Sequence, residues 1–162
     1  LSNLTLDNSL EMLTQKILNL KKKVKSLEKP DYTNNIIDLY LSKKSCDGLE
    51  ETYRVALHKS SFSIGTVRIN LRPFVPYLGN IGYHIFPPYQ GHKFALQSLE
   101  LLKEHMIAKG LTKPQITIYP DNIASIKTAT KFGGKLIREA NEQENWNIYE
   151  VELDNNIPKQ NR

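Results

Sequence analysis

The chain has 162 residues, 40% of them hydrophobic and 24% charged, with a net charge of +5. That length suits one domain with its own core and is short for two. No apolar run approaches the roughly 18 residues of a membrane span, and the single cysteine, Cys46, excludes an intramolecular disulfide and fits a reducing cytosol.

A basic balance suits a polyanionic partner, either nucleic acid or a phosphate-rich cofactor. Zinc-finger spacing, RNA-binding signatures and basic-aromatic interleaving are all missing from the sequence, which speaks against nucleic acid. The cluster Lys21, Lys22, Lys23 and Lys25 reads as the solvated face of a helix.

Leu4 and Leu6 suit a short first strand. Asp7 or Asn8 then makes an N-cap, with Glu11 placed as the capping-box partner of Asn8. Leu10, Leu13, Ile17, Leu20, Val24 and Leu27 follow as one helical stripe, which Pro30 ends. The segment from Asp31 to Ser42, with Ile36, Ile37, Leu39, Tyr40 and Leu41, reads as a second helix.

Glu51 to His58 alternates around Tyr53, Val55 and Leu57, and Phe62 to Leu71 around Ile64, Val67 and Ile69. Their short connection predicts an antiparallel hairpin, with Gly65 as a bulge. Phe74, Tyr77 and Leu78, in the connection that follows, either cover the sheet or wall a substrate pocket.

The stretch from Gly79 to Ala95 organises the rest. Ile81, Tyr83 and Ile85 alternate with Gly82 and His84 as a strand, which Pro87 and Pro88 end. Gln90, Gly91 and His92 lead into the strongest helix, from Lys93 to Lys109, with a core stripe of Ala95, Leu99, Leu102 and Met106. Gly110 stops it. A glycine between a strand and a helix lets backbone N–H groups approach a phosphate closely, and the helix N-terminus adds partial positive charge.

Gln115 to Tyr119 is a short strand, so the crossover implies a parallel pair in the sheet. Asn122 precedes a helix from Ile123 to Phe132, which Gly133 and Gly134 end. Strands near Lys135 to Glu139 and Asn147 to Leu153 close a last hairpin, and the tail from residue 154 is polar. The expected order is β–α–α–β–β–β–α–β–α–β–β: an α/β (α+β) mixed sheet, antiparallel at both ends, in one domain over residues 1–162.

Over Glu51 to about Leu153 this order resembles the GNAT superfamily of acetyl-CoA-dependent N-acetyltransferases. The run Asn80-Ile81-Gly82-Tyr83-His84-Ile85, continued by Pro88 to Ala95, is similar to the family's fourth strand and pyrophosphate loop. Asp121 to Ile126, continued to Lys131-Phe132-Gly133-Gly134, is similar to the helix after its fifth strand. The second run resembles the branch with ribosomal-protein acetyltransferases and a branch of predicted acetyltransferases. The chain departs from the pattern at three positions. Lys93 replaces a second small residue of the loop, Asn80 stands where relatives often carry glutamate, and the tyrosine that protonates the leaving thiolate in many members falls at Ala129.

The resemblance implies direct acetyl transfer from acetyl-CoA to a primary amine of a small molecule or protein N-terminus, in a ternary complex. The alternative is a GNAT-fold module that binds acetyl-CoA without efficient catalysis. It implies no metal, no nucleic acid and no membrane, a cytoplasmic setting, and is compatible with a homodimer through exposed strand edges. Backbone groups of Gln90, Gly91, His92, Lys93, Phe94 and Ala95 would hold the pyrophosphate. The N–H of Ile85 or Phe86 would meet the thioester carbonyl. Asn122 would meet the pantetheine, as well as capping its helix.

His84 is the candidate base, against the alternative of a packed sheet histidine; Glu51 and Glu139 are remoter carboxylates. Ser125 is the hydroxyl placed for the leaving thiolate. Asn80 and Tyr77 would face the acceptor. Tyr83 points the other way in the strand and reads as core. Lys127 and Lys131 either reach the 3′-phosphate of the coenzyme or form a solvated face.

Overall fold

The structure is a computed structural model and describes residues 11–16, 29–60, 62–73 and 78–153. Residues 11–16 are helical (α1), within the first predicted helix; the expected strand at Leu4 and Leu6 and most of the helical stripe lie outside the described residues. Then follow β1 (Tyr32–Thr33), β2 (Ile37–Lys44), β3 (Glu50–Leu57), β4 (Ser63–Asn70) and β5 (Ile81–Ile85). A 3-10 turn (Pro87–Tyr89) leads to α2 (Phe94–Ala108), β6 (Gln115–Ile118), α3 (Ile123–Lys131), β7 (Gly134–Arg138) and β8 (Asn147–Val151).

The helix expected from Asp31 to Ser42 is instead a β-hairpin. Asn34 accepts the N–H groups of Ile36 and Ile37 on its side-chain oxygen, and Asn35 takes a φ of 65°. Two asparagines in that arrangement make a tight turn. Beyond it the pattern has period two: Ile37 and Leu39 pair with Leu57 and Val55 and lie fully buried on the helix-covered face, while Asp38 and Tyr40 point to the other. Apolar content alone suggested a helix; the alternation identifies the strand.

The strands form two sheets, one in the order β1-β2-β3-β4-β5 and one in the order β6-β8-β7. Every ladder pair in both is antiparallel. The expected hairpins β3–β4 and β7–β8 are present, and the β3–β4 register skips a residue beside Gly65, as a bulge requires. Across the sheets α2 buries Leu99, Leu102 and Met106 against Val55, Val67, Ile69 and Ile81. Burying each such side chain contributes about 2 kcal/mol.

The expected parallel pair, β5 with β6, is not a ladder. The two strands touch at their starts, where the Asn80 N–H donates to the Gln115 carbonyl at 2.7 Å and the Gln115 N–H donates to Asn80 Oδ1 at 2.9 Å. Past that point each strand is the edge of its own sheet. Asn80 makes the junction. Its side-chain amide donates to the carbonyls of Asn70 at 3.0 Å and Arg72 at 2.8 Å. The side chain thus serves β4, and the main-chain N–H is released to cross to β6. Gly79 has a φ of 61° and lies so close to the Gln115 carbonyl that a Cβ there would meet it at 2.7 Å.

Candidate active site

The parted strands open on a cavity of about 360 Å³. Its walls are Tyr83, His84 and Ile85 of β5, the loop and first turn of α2 from Tyr89 to Leu96 apart from His92, and the α3 face carrying Asn122, Ser125, Thr128, Lys127 and Lys131.

The loop is shaped by two left-handed residues, Gly91 at a φ of 83° and Lys93 at 62°. Gly91 has open space beside it, so its backbone conformation rather than crowding calls for glycine. Lys93 is the N-cap of α2 and makes no side-chain capping bond. The first intrahelical bond runs from the Gln97 N–H to the Lys93 carbonyl at 3.0 Å. The N–H groups of Phe94, Ala95 and Leu96 therefore lack helical acceptors, and they belong to residues that line the cavity. The first turn carries no acidic residue, and Lys93, Lys127 and Lys131 stand around the opening with no carboxylate among the lining residues. This helix terminus is a ready site for an anion.

The Gln90 side chain is directed elsewhere: its amide donates to the Ile85 carbonyl at 2.8 Å, tying the loop to the end of β5. His92 lies outside the cavity wall, its Nδ1 3.0 Å from the Gln90 carbonyl and its ring stacked on Phe94. Of the two candidate N–H donors on β5, that of Phe86 is occupied, donating to the Ile64 carbonyl at 2.9 Å. Antiparallel pairs alternate between bonded and non-bonded. Ile85, opposite Gly65, is therefore in a non-bonded pair, with its N–H directed away from β4 into the opening.

His84 is exposed on the cavity, opposite Thr66 and edge-on to Phe86 with ring centroids 5.7 Å apart. Asn122 is the N-cap of α3, accepting the Ser125 N–H at 3.1 Å, and both residues line the cavity. Asn80, expected at the acceptor, is 1% exposed and bonded on every side as the pin between the sheets. It does not line the cavity. Tyr77 lies outside the described residues. Glu51 is buried at the far end of β3, held by Tyr53, His105 and Lys44, which removes it as a base.

Tyr83 keeps the core-facing place that the strand pattern gives it and also borders the cavity. Its ring packs against the core, as expected, but its hydroxyl crosses to α3 and donates to the Ser125 carbonyl at 3.0 Å. Burial pushes the phenol up to about 12, against hydrogen bonding with Ser125 and Thr128. At an edge strand beside an opening, the core-side face also borders the cavity, which alternation alone does not reveal. Position 129 is fully buried alanine, and Gly134 packs directly on its carbonyl.

A family model described as acetyltransferase (GNAT) domain matches residues 6–135. Among solved structures, the chain is similar to the ribosomal-protein-S5-alanine acetyltransferase from Vibrio fischeri, at 21% identity over 69% of this chain and 66% of that one, with a TM-score of 0.58. It is also similar to RimL, the ribosomal L7/L12 alpha-N-protein acetyltransferase, in its apo form, at 22% identity over 65% and 62% of the two chains, with a TM-score of 0.53. A third is the Microcin C7 self immunity acetyltransferase MccE in complex with acetyl-CoA and AMP, at 19% identity over 65% and 62%, with a TM-score of 0.53. At these identities the likeness is one of fold, and the chain spans 62% to 66% of the length of these three. No curated protein matches it.

Proposed function

Because the chain belongs to the acetyltransferase (GNAT) domain family, we propose that it moves the acetyl group of acetyl-CoA to a primary amine, of a small molecule or a protein N-terminus, by direct transfer in a ternary complex. The observation that carries this reading is the uncapped start of α2, whose free N–H groups and surrounding lysines open on the cavity between the parted strands. A pyrophosphate answers that arrangement in charge and geometry.

The other roles follow from position. The Ile85 N–H, directed into the opening, meets the thioester carbonyl as charge builds on its oxygen; such a donor is worth about 3 kcal/mol in the transition state. Asn122 meets the pantetheine amides, and Ser125 offers a hydroxyl to the sulfur. An alkylammonium, with a pKa of about 10.4, must lose a proton before it attacks. His84 is the exposed imidazole at the cavity and takes that proton, directly or through water. The α-N-protein and ribosomal-protein acceptors in the names of RimL and the Vibrio fischeri enzyme support a peptide N-terminus as one acceptor class.

A thermal-shift titration with acetyl-CoA, followed by free-thiol release with a panel of amines, tests the reading. At about a thousand times its dissociation constant a ligand adds roughly 4 kcal/mol of stability. A shift with amine-dependent thiol release supports the transferase. A shift with no release across small amines and peptides favours the binding module, and no shift at millimolar acetyl-CoA overturns both.

A further inference from the structure

We infer that Arg68 is a specificity-determining residue on the acceptor side of the site, and that the preferred acceptor is an amine carrying a carboxylate close to its nitrogen. The inference rests on the transferase reading above and narrows its acceptor.

The side from which the amine comes is set by β5. Tyr83 faces the core and α3, and the coenzyme's place is on that side, between α3 and the start of α2. His84 points to the opposite face, where it is exposed beside Phe86. An amine that gives its proton to His84 therefore lies over this second face of the sheet. On that face Thr66 stands opposite His84, Arg68 opposite Gly82, and Arg54 opposite Thr66. Arg68 and His84 are thus diagonal neighbours across the β4–β5 pair, about 7 to 8 Å apart along the backbone.

A missing side chain lays the guanidinium over β5. A Cβ on Gly82 would stand 3.3 Å from Arg68 Nη2, 3.4 Å from Nε and 3.8 Å from Cζ. Such even distances to three atoms of one plane mean that the flat face of the guanidinium rests on the glycine. A larger residue at position 82 would displace it.

The charge is only partly satisfied. Nη2 donates to the Leu78 carbonyl at 3.1 Å, whereas Nη1 is buried without an acceptor and the Glu50 carboxylate stands off at 3.7 Å. Glu50 also accepts the Asn70 amide at 3.4 Å, so its hold on Arg68 is loose. The Arg68 side chain keeps 21% of its surface exposed, which leaves the charge within reach of a bound acceptor. A carboxylate is the group that fits a guanidinium fork. Arg54, 4.1 Å above the Tyr40 ring, adds to the effect. In the two cross-strand rows that hold His84 and Gly82, the charged residues of β3 and β4 are both arginines. Positive charge beneath the acceptor draws a carboxylate and also favours the neutral, attacking form of the amine.

Matched acceptors that differ in one charge test this. Alanine against alaninamide reads a carboxylate on the acceptor's own α-carbon. The peptide amides Ala-Glu-Ala and Ala-Gln-Ala read one on a neighbouring side chain. Arg68→Gln is the reference, because the intrinsic reactivities of the acceptors are the same for both proteins. The expected result is a carboxylate preference in kcat/KM that is about tenfold greater in the parent than in Arg68→Gln for one of the pairs. The change should lie in KM, with the dissociation constant of acetyl-CoA within twofold of the parent. The pair that shows it tells a free amino acid from a protein N-terminus. Preferences that agree within threefold between the two proteins for both pairs overturn the inference. That includes a variant that loses rate equally on all four acceptors, the mark of a strut between β4 and Leu78. Should Arg68→Gln fail to fold, Arg68→Lys keeps the charge and removes the fork. The preference must then fall at least threefold, and an unchanged one overturns the assignment. Coenzyme binding by the parent chain with no transfer to any amine would instead sink the transferase reading, and this inference with it.

Discussion

Asn80 and Gln115 are tied by two hydrogen bonds, main chain to main chain at 2.7 Å and main chain to side chain at 2.9 Å. Around this pair the two sheets meet and then part. Asn80→Ala would leave the carbonyls of Asn70 and Arg72 and the Gln115 N–H without their partner. Each buried unmet group costs about 1 to 3 kcal/mol, so a loss of roughly 3 kcal/mol is expected in urea unfolding. Asn80→Asp should cost at least as much, because it turns a carboxylate oxygen toward two carbonyls. Unchanged stability with lost acetyl transfer would return Asn80 to the acceptor site.

Lys93 occupies the left-handed region at a φ of 62°, where a side chain costs on the order of 1 kcal/mol. Lys93→Gly should raise stability by about that amount in the absence of ligand. Its ammonium also stands at the cavity that the pyrophosphate would enter, so the same variant should bind coenzyme A several-fold more weakly, with the difference shrinking at high salt. Calorimetric titration at two ionic strengths checks both parts. Equal affinity would make the lysine a bystander of the loop.

Gly65 faces the end of β5, and a Cβ there would collide with the His84 carbonyl and crowd Ile85. Gly65→Ala must push β4 from β5 just where the Ile85 N–H enters the opening. A destabilisation of about 2 kcal/mol is expected. The transfer rate should fall by more than coenzyme affinity, since the displaced N–H serves the reacting carbonyl. Denaturation paired with single-turnover rates measures the split.

Glu51 links β3 to the last turn of α2. Burial alone would raise its pKa, but hydrogen bonds from Tyr53, His105 and Lys44 outweigh this and hold it below the ordinary 4.5. A carboxyl lowered on folding stabilises the fold fully above its unfolded pKa, and the contribution is lost as pH falls through the folded value. The parent should therefore lose stability steeply below pH 4.5. Glu51→Gln should be less stable at pH 7 by about 3 kcal/mol and should lose less on acidification. Parallel stability–pH curves for the two proteins would contradict this assignment.

Much of the fold was legible in local pattern. The stripe of Leu99, Leu102 and Met106, the alternation through β3 to β5 and the stops at Pro87 and Gly110 are short-range signals, and the structure repeats them. So are Gly91 and Asn122, since a left-handed turn and a helix cap depend on a few neighbouring residues. Asp31 to Ser42 was misread because a dense apolar run fits either period, and the pairing of Ile37 and Leu39 with β3 decides it.

The sequence by itself determined the elements from β3 to β8, the left-handed loop before α2 and the family resemblance, because each rests on residues close together in the chain. Only the tertiary structure decided how β5 and β6 relate. That junction depends on Asn80 serving two carbonyls with its side chain while its main chain crosses to another sheet. The same separation turned the tip of Tyr83 from core into cavity wall and left the Ile85 N–H, rather than that of Phe86, facing the opening. Which donor is free and which side chain is buried are set by partners 8 to 42 residues away along the chain, where periodicity carries no information.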